Sequence, residues 1–185
     1  MTWLHFFGGA SRAWQQQVEE SRIRLFRLAL SWCGDEMLAD DLAQEALARA
    51  LRKQHQLREA DRLDAWLFAI LHNCWREHLR RLKPQVPLDE VLFVCDRCPE
   101  HEQAQDQIVA QVRQAVAALP MGQREVVTLV DLEGLSYAEV ADVLAIPIGT
   151  VMSRLSRARR VLKATLEPFQ AQVDAASRRI LWRVK

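Results

Sequence analysis

Between Gly134 and Leu166 the chain reads GLSYAEVADVLAIPIGTVMSRLSRARRVLKATL, and this stretch leaves few folds open. Ser136 and Glu139 have the S-x-x-E spacing of a capping box, in which each side chain satisfies the other residue's backbone N–H, so a helix should start at Tyr137. Ala138, Val140, Ala141 and Leu144 give that short helix an apolar side. Pro147 cannot donate a backbone hydrogen bond and restricts the residue before it, so the helix should stop there. A second helix should begin near Ile148 or Thr150. Its apolar residues Val151, Leu155, Ala158, Leu162 and Leu166 recur every three or four positions and form one stripe.

The opposite face of this second helix carries Thr150, Ser153, Ser156, Arg157, Arg160 and Lys163, with Arg154 and Arg159 on its flanks. An exposed, core-packed helix usually mixes charge signs. From Ile148 to Lys163 there are five basic residues and no acidic one. Arginine pairs bidentately with guanine, serine and threonine suit several base edges, and each added cation finds a phosphate. Two helices joined by a tight turn, the second one long and basic, form a helix-turn-helix that contacts the major groove.

The net charge of the 185-residue chain is only +1, so nucleic-acid binding must be local. The charge is indeed segregated. Gly34 to Glu45 holds five acids (Asp35, Glu36, Asp40, Asp41, Glu45) and no base. Half the residues are hydrophobic, with only six glycines and six prolines, which favours a helical globular protein over a disordered one. No apolar run is long enough to span a bilayer, so no membrane insertion is expected. The first residues lack the basic and apolar regions of a signal peptide. Four cysteines without secretory context point to a reducing compartment, and a cytoplasmic location is the expectation.

Residues 1–18 have no clear period and read as a loose arm. Ile23, Phe26, Leu30 and Cys33 keep helical spacing over residues 19–33, and Gly34 is a natural terminator. A second helix over residues 36–55 should bury Leu38, Leu42, Ala46 or Leu47, and Leu51, and expose Asp40, Asp41, Gln44 and Glu45. The polar stretch Gln54 to Arg62 reads as a loop. A third helix, residues 63–82, sets Leu67, Ile70, Leu71, Cys74, Trp75, His78 and Leu82 on one side. His72, Asn73, Arg76, Arg80 and Lys83 fall on the other, with Trp66 at its edge. Basic and amide side chains beside aromatic rings suit unpaired bases better than a duplex groove, although an ordinary solvated face has the same pattern. Residues 84–105 read as a linker with three prolines, and helical periodicity returns from Asp106. Pro120 and Gly134 bound a further apolar helix. The expected fold is all-α: two small helical domains, 19–83 and 106–166, joined by a flexible linker and followed by a polar tail, 167–185.

DDLAQEALARAL, DAWLFAILHNCWREHLRRLK and LPMGQREVVTLVDLEGLSYAEVADVLAIPIGTVMSRLSRARRVLK, in this order, resemble bacterial RNA polymerase sigma factors. The chain is similar to the small extracytoplasmic-function group, which keeps only sigma region 2 and sigma region 4. The resemblance covers residues 19–166. It implies a transcription initiation factor without catalysis or cofactor, whose partners are core RNA polymerase, promoter DNA and an anti-sigma factor. Asp40, Asp41, Gln44 and Glu45 fall where the family docks on the coiled coil of the largest polymerase subunit. The loop from Gln54 to Arg62, with Trp66, Asn73 and Arg76, falls where the family melts and captures the −10 element. The helix Ile148–Lys163 falls where it reads the −35 element, while nearby surfaces touch the polymerase flap. Family members often carry glycine at the position of Ala145 and lysine at that of Met152; the second difference bears on −35 preference.

Two other readings compete. An ordinary repressor or activator would use the helix-turn-helix on an operator, normally as a symmetric dimer, and would explain neither the acidic helix nor the second basic stripe. Cys95, Cys98 and His101 have a spacing that could hold a zinc ion or form a disulfide, but a structural zinc site wants four ligands and only three are local. Cys33, Cys74 and His78 lie on apolar faces and read as core rather than as nucleophiles. The chain has neither a glycine-rich phosphate loop nor an H-E-x-x-H motif.

Overall fold

The computed structural model describes residues 12–57, 62–82 and 104–183. Among them the regular elements are helical. The first module holds α1 (Arg12–Glu20), α2 (Arg22–Cys33), α3 (Glu36–Arg52), a 3-10 turn (Gln54–Gln56) and α4 (Leu63–Leu82). The second holds α5 (Ala104–Ala117), α6 (Met121–Val127), α7 (Tyr137–Leu144) and α8 (Ile148–Arg183), with a π-helical turn over Thr128–Leu132 extending α6.

In the first module α2 ends where Gly34 turns left-handed at φ 70°, and its N–H donates to the Leu30 carbonyl at 2.9 Å. That geometry favours a residue without Cβ. Asp35 then caps α3 by accepting from the Leu38 N–H at 2.8 Å. The inner face of α3 is built from Ala39, Ala43, Ala46 and Ala50, all fully buried. These small side chains let α2 and α4 approach closely, and Trp32, Phe68 and Trp75 fill the remaining space.

In the second module Gly134, at φ 75°, closes the π-helical turn. Glu133 N–H reaches the Thr128 carbonyl five residues back, at 3.1 Å. Both halves of the capping box at Ser136 and Glu139 are formed, as expected. The short helix ends at Ala145, in the left-handed conformation at φ 53°, before Pro147 is reached. Val151, Leu155 and Ala158 anchor α8 against α5, α6 and α7.

Four sequence expectations are corrected. Residues 12–18 are not part of an arm: α1 begins at Arg12 and Val18 is buried. Ile23 is exposed, because α2 turns Leu25, Leu28, Ala29 and Trp32 inward instead. The helix expected to read the −35 element does not stop at Leu166 but runs past Pro168 to Arg183. Above all, the two modules are not separate beads. α2 packs on α5 and α6, α4 packs on α7, and the buried side chains form one cluster across both.

Candidate nucleic-acid and protein interfaces

On α3 the acidic residues share one side with unequal freedom. Asp40 accepts from Arg22 Nη2 at 3.0 Å and from Gln44 Nε2 at 2.6 Å. Glu45 accepts from Arg49 Nε at 2.6 Å, and Arg49 in turn grips Glu77 of α4 through both amino groups, at 2.8 and 2.7 Å. The paired guanidinium holds the Glu77 carboxyl below the usual carboxylate range. Asp41 is exposed, and no ion pair forms to it among the described residues. The face therefore presents Asp41 as its unscreened charge, flanked by two partly neutralised carboxylates.

Along α4 the sequence expectation holds for Asn73 and Arg80, which are exposed. It fails for His72. The histidine is only 4% exposed, with Nε2 3.6 Å from Glu125 Oε1 of α6 and its ring edge-on to Trp32 at 6.0 Å. A solvent-facing stripe was expected there; the second module covers it. Leu82, expected in the core, is exposed. Trp66 and Arg76 are half-buried for the same reason as His72. Trp66 lines a cleft of about 410 Å3 whose other wall is Glu139, Asp142 and Val143. Arg76 lines a smaller one, about 230 Å3, opposite Arg154 and Glu125. Lys83 and residues 58–61 of the expected loop lie outside the described residues, as do Cys95, Cys98 and His101. Among the described residues no His, Cys, Asp and Glu side chains cluster as a metal site would need. Cys33 and Cys74 are buried, and burial pushes each thiol up to about 11, which suits core residues rather than nucleophiles.

The polar face of α8 stands open. Ser153, Ser156, Arg157, Arg160 and Lys163 are exposed and Thr150 is half-buried. Ser153 donates to the Thr150 carbonyl at 3.1 Å, which leaves its oxygen free to accept. Arg159 is set apart: it holds Asp131 with two hydrogen bonds, one of 3.1 Å from Nε. Arg154 also differs from its neighbours, because its guanidinium folds back over Gly122, where a Cβ would come within 2.8 Å of Nη1.

Sequence patterns missed the residues that join the modules. Trp32 Nε1–H donates to Thr128 Oγ1 at 2.9 Å, and the Thr128 hydroxyl donates to the Arg124 carbonyl at 2.8 Å. Arg124 is 1% exposed. It donates to the Trp32 carbonyl at 2.8 Å, to the Leu119 carbonyl at 3.0 Å and to the Ala117 carbonyl. One guanidinium thus satisfies carbonyls at the C-terminal ends of α2 and α5. Arg24 bridges Asp64 of its own module, at 2.8 Å, and Glu133 of the other, at 2.9 Å. The one signal available was a charged pair, Arg124 and Glu125, in the middle of the short helix MGQREVV and directly before the apolar run Val126–Val127.

Comparison with known proteins decides what carries these surfaces. The family described as Sigma-70 region 2 matches residues 17–85, and Sigma-70 region 4 matches residues 110–162. RNA polymerase sigma-H factor of Pseudomonas aeruginosa is 32% identical over 173 residues, 87% of this chain and 90% of that protein. The ECF RNA polymerase sigma factor EcfG of Rhodopseudomonas palustris is 35% identical over 144 residues, 78% of each chain. This chain belongs to the extracytoplasmic-function sigma factors. The first module is region 2 and the second region 4. A solved structure of the sigma factor RpoE with the anti-sigma factor NepR from Bartonella quintana superposes with a TM-score of 0.73 at 29% identity. The match covers 85% of this chain and 98% of that one, so it extends over both regions. As a sigma factor the protein is a transcription initiation factor that directs RNA polymerase to promoters. Among the described residues no helix is long and apolar enough to cross a membrane.

Proposed function

We propose that the protein binds core RNA polymerase through the acidic side of α3 and reads two promoter elements with two basic faces of different design. Asp41 leads the polymerase contact, with Asp40, Gln44 and Glu45 around it, and its partner is the basic coiled coil of the largest subunit. Trp66, Asn73, Arg76, Arg80 and Lys83 take the −10 element as a melted strand, the ring stacking and the cations following phosphate. His72 backs this face from within the interdomain contact instead of reaching a base directly. Thr150, Ser153, Arg154, Ser156, Arg157, Arg160 and Lys163 read the −35 element as duplex, while neighbouring region 4 surfaces meet the polymerase flap. Control by an anti-sigma factor, in a stress or environmental response in the cytoplasm, completes the reading. It is supported by the similarity to a sigma factor whose solved structure is a complex with an anti-sigma factor.

The observation that carries this proposal is the separation of charge by element. The α3 side holds Asp41 unscreened, whereas α8 exposes Arg157, Arg160 and Lys163 with no acid between Ile148 and Lys163. An operator-binding repressor needs no such acidic face. Run-off transcription with purified core polymerase on genomic fragments tests the reading. Promoter-specific transcripts that depend on the added protein are expected; binding to promoters equally well without polymerase, and no such transcript, would sink it.

A further inference from the structure

The smaller cleft, about 230 Å3, gathers cations from three helices. His72 and Arg76 line it from α4, Gly122 and Glu125 from α6, and Arg154 from α8, with Ile146 as an apolar side. Two guanidinia and an imidazole thus stand around one carboxylate. That carboxylate is already engaged: Glu125 is 6% exposed, and its Oε1 lies 3.6 Å from His72 Nε2. Arg76 is half-buried, and no ion pair forms to it among the described residues. Like charges gathered in a cleft and partly removed from water repel one another unless an opposite charge joins them.

The direction of Arg154 adds a second observation. Arg157, three residues on, is exposed on the outer face of α8, as suits a cation that meets a duplex. Arg154 instead lies over Gly122, where a Cβ would come within 2.8 Å of Nη1 and 2.9 Å of Cζ. Any side chain at position 122 would push the guanidinium aside, so glycine there is what lets this cation line the cleft. A drug-sized ligand needs about 300–1,000 Å3, so the space suits an ion or one end of a small molecule. Guanidinium forks pair bidentately with phosphate oxygens.

We propose that this cleft is a binding site for a phosphoryl group, brought by free phosphate or by a small phosphate monoester. Arg76 and Arg154 clamp it from opposite regions, and Gly122 makes room for the second clamp. Such a ligand ties α4 to α8. Under the proposed function both arginines also serve promoter DNA, so an occupied cleft withholds them from it. The site itself stands on the cleft and its charges, not on those assignments.

The test is isothermal titration calorimetry of the full-length protein with inorganic phosphate and, separately, adenosine 5′-monophosphate, at constant ionic strength. Saturable one-to-one binding is expected. Arg76→Gln and Arg154→Gln should each weaken it about tenfold or more, the worth of a hydrogen bond to a charged group. Gly122→Ala should weaken it with every charge retained, whereas Glu125→Gln should tighten it by removing the one repelling carboxylate. Arg113→Gln, an exposed cation of α5 outside the cleft, should bind as the wild type does. Circular dichroism confirms that each variant is folded, and the two arginine variants, one in each region, carry the test independently. Equal affinity for both ligands assigns the site to the phosphoryl group alone; tighter binding of the monophosphate assigns it to a nucleotide. No saturable binding of phosphate, unchanged affinity in both arginine variants, or an equal loss in Arg113→Gln overturns the proposal.

Discussion

At Ala145 a non-glycine residue sits at φ 53°, where its Cβ crowds the carbonyl that follows, at a cost of roughly 1–2 kcal/mol. The residue is exposed, so glycine would forfeit little burial there. Part of the gain from Ala145→Gly returns as entropy of the unfolded chain, so the variant should stabilise region 4 by about 0.5–1 kcal/mol in a urea melt. Arg157 and Arg159 illustrate the opposite use of one residue type. Arg159 is held by Asp131, whereas Arg157 points from the middle of the open face. Arg157→Ala should lose about 1–3 kcal/mol of discrimination between −35 sequences in competition binding. An equal loss on every sequence would mark it as a phosphate contact.

At the scale of the element, α7 depends on its start. The Ser136 hydroxyl donates to Glu139 Oε2 at 2.6 Å and the Ser136 N–H does so at 2.8 Å, while the Glu139 N–H donates back to Ser136 Oγ at 3.3 Å. Those bonds hold the Glu139 carboxyl below the usual carboxylate range. A depressed carboxyl stabilises the folded state above its unfolded pKa, about 4.3, and that contribution is lost as pH falls through the folded value. Region 4 should therefore weaken below about pH 4. Ser136→Ala should cost about 0.5–2 kcal/mol at neutral pH and flatten this acid loss, measured by denaturation across pH 3–7. On α3, Asp41→Lys should weaken binding to core polymerase more than Glu45→Lys, because Glu45 already shares its charge with Arg49. A pull-down with circular dichroism as the folding control compares them, and equal or absent effects would place the docking surface elsewhere.

For the whole molecule, the shared cluster of buried residues has a thermodynamic consequence. Trp32 and Thr128 are both fully buried, one from each region, and their hydrogen bond cannot be exposed without opening the interface. Leaving the Trp32 N–H without its acceptor in a dry site would cost about 1–3 kcal/mol. Regions 2 and 4 should accordingly unfold in one calorimetric transition, with equal calorimetric and van't Hoff enthalpies. Two resolved transitions in the wild type would mean that the regions are energetically separate.

Much of this protein is set by local chemistry and so is legible residue by residue. Helices near α3, α4, α7 and α8 follow from apolar spacing; the capping box follows from Ser136 and Glu139; the open face of α8 follows from a run of basic residues with no acid among them. Each depends on neighbours within one or two turns, which a linear pattern records. What only the tertiary structure decided lies where distant segments meet. Periodicity divides α4 into an apolar and a polar side, yet cannot say that α6 covers the polar side at His72. A charged arginine in a sequence reads as surface until three carbonyls from two helix ends converge on Arg124. Two modules separated by a long linker read as independent, because the contacts that join them, Trp32 to Thr128 and Arg24 to Glu133, span 96 and 109 positions. Helix periodicity is a property of neighbours; the docking of one region on the other is set by shape and hydrogen-bond complementarity between surfaces that no local pattern brings together.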